Sequence, residues 1–157
     1  MDKLSKGEQM VGGGSALLLI MSFFSLWWKW EGGGISVRGN GWDSGLPAFV
    51  KLALVLAIVA LVLVGLKASG TSITLPVTWG LAYVGLGALI TLFLLLAVLL
   101  GPKDGGAGFL GVEVSRGIFL LISPLIGAVI ALGGYMHMQG ETTAGPAASG
   151  PATPPAV

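Results

Sequence analysis

Hydrophobic residues in this sequence gather into four blocks, at about residues 9–28, 47–66, 78–100 and 117–138. No Asp, Glu, Lys or Arg falls between Gln9 and Trp28, Leu52 and Leu66, Thr78 and Leu100, or Gly117 and Met138. Each block approaches the ~20 apolar residues that cross a ~30 Å hydrocarbon layer at about 1.5 Å of rise per residue. A segment surrounded by lipid must satisfy its own backbone, so each block predicts a helix. The expected fold is an all-α membrane protein with four transmembrane helices in an up-down bundle. A capping segment at residues 1–8 precedes it, and a disordered Ala/Pro-rich tail at residues 139–157 follows it.

The first block contains a break candidate, Gly12-Gly13-Gly14. Three glycines in a helix cost about 3 kcal/mol relative to alanine. Leu17, Leu18, Leu19, Ile20, Phe23, Phe24 and Leu26 offset that cost, each favouring insertion by roughly 0.3–0.6 kcal/mol. An unpaired peptide group in hydrocarbon costs several kcal/mol more, which decides for helix. Ser5-Lys6-Gly7-Glu8 also fits a capping box, with Ser and Glu positioned to bond the exposed amides of the first turn. A helix starting near Lys6 runs through the glycines. Gly32-Gly33-Gly34, in polar surroundings after Glu31, reads as a real break. The basic front of Lys3 and Lys6 suits a signal peptide, but no A-x-A-like site follows the apolar run. The segment is expected to remain as a first span.

Local signals mark the other boundaries. Trp27, Trp28 and Trp30 cluster where the first span should meet the headgroups. Pro47 suits the first turn of helix two, and Asp43 or Ser44 can cap it. Lys51 can snorkel outward, and Lys67 ends the span. Pro76 precedes helix three, Trp79 marks its interface, and Gly101-Pro102 stops it. Arg116 should open helix four, and Tyr135 with His137 should close it.

Composition supports the lipid reading. Of 157 residues, 54% are hydrophobic and 10% charged, against about 25% charged in a typical soluble domain. A net charge of +1 leaves no basic stripe for nucleic acid. With no cysteine and a single histidine, no disulfide, thiolate site or His-rich metal site is expected, and no cofactor. Lys3, Lys6 and Lys67 fall on the side of the termini, and Lys29, Arg38, Lys51, Lys103 and Arg116 on the other. That tally alone would place the termini outside. The first span resembles a signal anchor with a basic front, and on that ground both termini are expected in the cytoplasm of a multi-pass plasma-membrane protein.

Chemistry is sparse. The span interiors offer Ser22, Ser25, Thr91 and Ser123, hydroxyls that ordinarily bond back to a carbonyl one turn earlier or join helices. His137 sits in the expected last turn of helix four, and the sequence shows it no second His, Cys or buried carboxylate. The glycine-rich run "GPKDGGAGFLG" has its Lys ahead of its glycines and reads as a loop rather than a phosphate cradle. No hydrolase, zinc-protease or nucleotide-binding motif is present, so an enzyme is the least expected class.

Two sets of residues carry the structural expectations. Ala53 and Ala57, Gly87 and Thr91, and Ser123, Gly127 and Ala131 recur every four residues, the spacing that lets helices pack closely in lipid. Pro124 predicts a kink between Leu120 and Pro124. The first loop, "KWEGGGISVRGNGWDSGLPAF", contains an alternating Ile35-Ser36-Val37 and an Asn40-Gly41 turn signal, consistent with a short strand or hairpin. Trp30, Arg38, Trp42 and Asp43 in that loop are the candidate contacts for a partner.

The capped start "LSKGE", the end "FSLWW" of the first span, "GWDSG", and the last span's "RGIFLLI" and "IALGG" resemble small, uncharacterised four-span membrane proteins of actinobacteria. That resemblance implies a plasma membrane and cytoplasmic termini, and supplies no catalytic residue. Together these readings predict a non-enzymatic accessory or scaffold protein. It would pack with a larger membrane protein complex through its helices and its Trp-bearing loop. The alternative is a subunit of a small oligomeric channel or transporter, packed as a homo-oligomer.

Overall fold

The computed structural model describes residues 4–71, 76–101 and 113–143. Within them the elements are α1 (Lys6–Ser22), β1 (Trp28–Gly32), β2 (Ile35–Gly39), α2 (Ala48–Ala68), α3 (Trp79–Leu100), β3 (Glu113–Arg116) and α4 (Ile118–Thr143). Most of the "GPKDGGAGFLG" run and the tail from residue 144 lie outside the described residues. Three of the helices, α2, α3 and α4, are long and apolar enough to cross a membrane. In α3 only 28% of the apolar stretch is buried inside the protein. Leu92, Leu95 and Leu99 face outward, a surface that suits lipid.

Helix α1 starts with both halves of the capping box: the Glu8 N–H donates to Ser5 Oγ at 3.3 Å, and the Ser5 N–H to Glu8 Oε2 at 2.7 Å. Gly12–Gly14 lie within the helix. The helix stops at Ser22, short of the expected Trp28. There the chain turns back. Trp27 is fully buried and its indole N–H donates to Met21 O at 2.7 Å, a carbonyl at the open end of the helix.

The all-α expectation is corrected by a three-stranded sheet in the order β2-β1-β3, antiparallel throughout. Lys29 stands opposite Arg38 on one side and Ser115 on the other. The hairpin reverses at Gly33 and Gly34, whose φ values of 60° and 80° suit a two-residue turn that L side chains resist. The break expected at these glycines is thus the hairpin turn. Asn40-Gly41 is not the hairpin turn: Asn40 Oδ1 accepts the Trp42 N–H at 2.9 Å.

Several boundaries also differ. Pro47 is the N-cap of α2, which has no side-chain cap, and Asp43 instead accepts the Asn40 N–H at 2.8 Å. Thr78 caps α3 by accepting the Leu81 N–H. Arg116 does not open helix four but ends β3, and its guanidinium donates to Val98 O at 2.7 Å and Leu99 O at 3.4 Å. It thereby satisfies carbonyls at the end of α3. Helix α4 does not close at Tyr135 and His137 but continues to Thr143, past the expected start of the tail. Pro124 lies inside α4, and the Ser123 hydroxyl donates at 2.9 Å to Leu120 O, the carbonyl that proline cannot reach.

Packing centres on α4. Gly133 backs onto Gly7 of α1, and Gly134 onto Tyr83 and Val84 of α3. Gly87 lies against Ala131, and Gly127 against Thr91. Ala53 and Ala57 are fully buried in α2 and Ser123 in α4. A Cβ at Gly134 would come within 2.5 Å of Val84 N, whereas one at Gly85 meets nothing within 4 Å. Gly134→Ala is therefore expected to destabilise the protein by about 2 kcal/mol. Gly85→Ala should be neutral or stabilising by about 0.5 kcal/mol. Thermal unfolding in detergent followed by circular dichroism checks the pair, and equal midpoints for the two variants would refute the close approach.

Candidate functional site

Residues from all four helices meet at the end where α1 begins. Glu8, in the capping turn ahead of the uncharged run from Gln9, is only 2% exposed. Its Oε1 forms an ion pair with Lys67 Nζ near the end of α2, and lies 3.7 Å from His137 Nε2 of α4. His137 Nδ1 is 2.7 Å from Ser5 Oγ, and Nε2 is 3.0 Å from Lys67 Nζ. The imidazole thus faces a hydroxyl at Nδ1, and at Nε2 it faces the Lys67 ammonium together with the Glu8 carboxylate.

Helix α3 completes the group. Tyr83 is fully buried with its ring edge-on to His137, centroids 5.8 Å apart. The Lys67 ammonium lies 5.1 Å from the centre of the Trp79 ring, a cation–π distance. Glu141 of α4 accepts the Gly80 N–H at 3.1 Å, one of the amides left open at the start of α3, and approaches His137 Nε2 at 3.4 Å. A cavity of about 410 Å3 adjoins the group, lined by Ser5, Lys6, Met136, His137 and Glu141 among others.

The electrostatics of Glu8 are set by opposing effects. Burial raises its carboxyl pKa. The Lys67 ammonium, the Ser5 N–H and His137 together outweigh burial and hold it below the ordinary carboxylate value.

The residues expected to contact a partner do not form one patch. Trp42 Nε1 donates to Ser22 Oγ at 2.9 Å, and its ring packs near Phe23. Asp43 holds its own loop. Trp42 thereby seats the loop on the end of α1. Trp30 is half-buried on β1, and Arg38 is exposed on β2.

The polar group was not legible as a site. Glu8 reads in sequence as a capping residue, Lys67 as an end marker and His137 as a helix terminus. The expectation that His137 lacks a carboxylate partner is overturned by Glu8 and Glu141. One signal was available: an up-down order places the start of the first block and the ends of the second and fourth on one side. No protein-family model matches the chain, and no curated protein matches it.

Removing Lys67 strands a buried carboxylate, so Lys67→Ala is expected to destabilise by about 3 kcal/mol. Removing both charges in Glu8→Gln/Lys67→Met should recover most of that loss, as seen by thermal unfolding in detergent. Since the Glu8 pKa is lowered on folding, its contribution is complete above the ordinary value of 4.5 and is lost as pH falls through the folded value. Wild-type melting temperatures should therefore fall in acid below about pH 4.5, with a shallower fall in Glu8→Gln. Superimposable acid arms for the two proteins would contradict that assignment.

Proposed function

We propose that the chain is a plasma-membrane protein that crosses four times in up-down order, with both termini cytoplasmic. In this reading it is a non-enzymatic accessory or scaffold subunit, of the small four-span actinobacterial type. The crossing order is supported by where the ends meet. Ser5, before α1, bonds His137, near the end of α4. At the other end, β1 after α1 pairs with β3 before α4. Helix α1 has 17 residues, a rise of about 26 Å. Its contacts with α4 from Gly7–Gly133 to Gly14–Ile130 support its lying beside a spanning helix.

The accessory role is carried by one observation, the exposed edge strand β2. Ile35 and Val37 are 64% and 45% exposed, beside Arg38, on a sheet held to the bundle by Trp27 and Trp42. An exposed strand edge with apolar side chains is a template for pairing with another chain. The ion-paired group at the opposite end supports a second reading, a channel or transporter subunit. Ionisable groups buried between helices often mark ion pathways, and Tyr83 Oη, fully buried there, has no partner among the described residues.

The sequence has no cysteine, so single-cysteine variants report position directly. Lys6→Cys and Thr143→Cys are expected to resist a membrane-impermeant maleimide in intact cells, while Ser36→Cys is labelled. Labelling of only one terminus would reject the four-span order. For the role itself, purification in mild detergent should retain a stoichiometric membrane partner that Ile35→Lys/Val37→Lys releases. A symmetric homo-oligomer enclosing a hydrated path, with ion flux in proteoliposomes abolished by Glu8→Gln, would favour the second reading.

A further inference from the structure

At the sheet end, a cavity of about 240 Å3 is lined by Trp28, Lys29, Arg38, Ser115, Arg116 and Ile118, among others. Three of these carry positive charge, and no acidic side chain lines the cavity among the described residues. The strand register makes this costly, because Lys29 stands directly opposite Arg38. Like charges facing each other across a ladder are destabilising unless an anion lies between or beside them. Glu31 pairs with Lys29 and offsets part of this. Arg38 has no ion pair among the described residues. Arg116 spends Nε and Nη2 on Val98 O and Leu99 O, which leaves Nη1 without a protein acceptor among the described residues.

The surface beside this cavity is apolar. Ile118, Leu121, Ile122 and Leu125 recur along one face of α4, and all are exposed. The face begins at the cavity, since Ile118 belongs to both. The N–H groups of Gly117 and Phe119, at the start of α4, are already bonded to Trp27 O and Leu26 O. The side-chain cations, rather than the helix terminus, thus supply the positive charge.

We propose that this cavity binds the phosphate headgroup of an anionic phospholipid. Lys29, Arg38 and Arg116 hold the phosphate, and one acyl chain lies along Ile118, Leu121 and Leu125. A phosphodiester whose headgroup carries no cation of its own supplies the net anion that the Lys29–Arg38 juxtaposition lacks. An apolar face continuous with the cavity selects a lipid over a free anion. The inference rests on α4 lying in lipid and does not depend on the accessory role.

The test uses the full chain in nanodiscs of equal parts phosphatidylglycerol and phosphatidylcholine, with retained lipid read by native mass spectrometry. Phosphatidylglycerol should be retained about tenfold over phosphatidylcholine, since each basic residue near an anionic headgroup favours binding substantially. Arg38→Gln, at an exposed residue outside the bundle, should reduce that preference several-fold, and Lys29→Gln/Arg38→Gln should abolish it. Circular dichroism confirms the fold of each variant. Equal retention of the two lipids, or a preference that survives in both variants, would overturn the proposal. So would displacement of phosphatidylglycerol by excess inorganic phosphate, which would mark a site for a free anion. Failure of the protein to enter nanodiscs would count against the membrane reading itself.

Discussion

The closeness of α4 to two neighbours at once is the constraint on which the rest of this structure depends. In lipid the solvent is as apolar as the side chains, so helices gain little from hiding them and must gain from contact. Adjacent residues divide this task. Gly133 meets Gly7 of α1, and Gly134 meets the Tyr83–Val84 backbone of α3. Side chains at either position would hold the backbones apart. The same contacts then bring Ser5, Lys67, Tyr83 and Glu8 within reach of His137.

The polar group at one end and the sheet at the other solve the same problem by different means. Helix ends leave amides and carbonyls without partners. At the polar end, Ser5 and Glu8 satisfy the start of α1, and Glu141 bonds an amide at the start of α3. At the sheet end, Trp27 satisfies the last turn of α1, and Arg116 that of α3. In three of these cases the donor or acceptor comes from outside the helix it caps. Glu141 and Arg116 even come from different parts of the sequence from the helix they serve. Both ends of α3 are thus tied to a neighbouring element as well as capped.

What could be read in the sequence follows from how local each cause is. The cores of α2, α3 and α4 were legible because lipid imposes one uniform demand on some twenty consecutive residues. The capping box was legible because its partners are three residues apart. The end of α1 was not, because Trp27 looks like a headgroup anchor until the chain is known to turn back. Nor was β3, whose four residues, Glu-Val-Ser-Arg, form a strand only because β1 is beside them. His137 finds Ser5 across 132 positions and Lys67 across 70, and no periodicity encodes such pairings.

The sheet also has a consequence for how the chain is made. β1 and β2 are neighbours in sequence and can pair as soon as their segment emerges from the ribosome. β3 is separated from them by α2 and α3, so the newborn chain exposes an unpaired flank of β1 until both helices have been synthesised. Arg116 arrives at the same moment, and before it does the end of α3 lacks its guanidinium partner. Translation therefore passes through a stage in which three helices exist and the end that carries the sheet is unfinished. That stage is when a cellular protease or insertion chaperone would find the nascent protein easiest to engage.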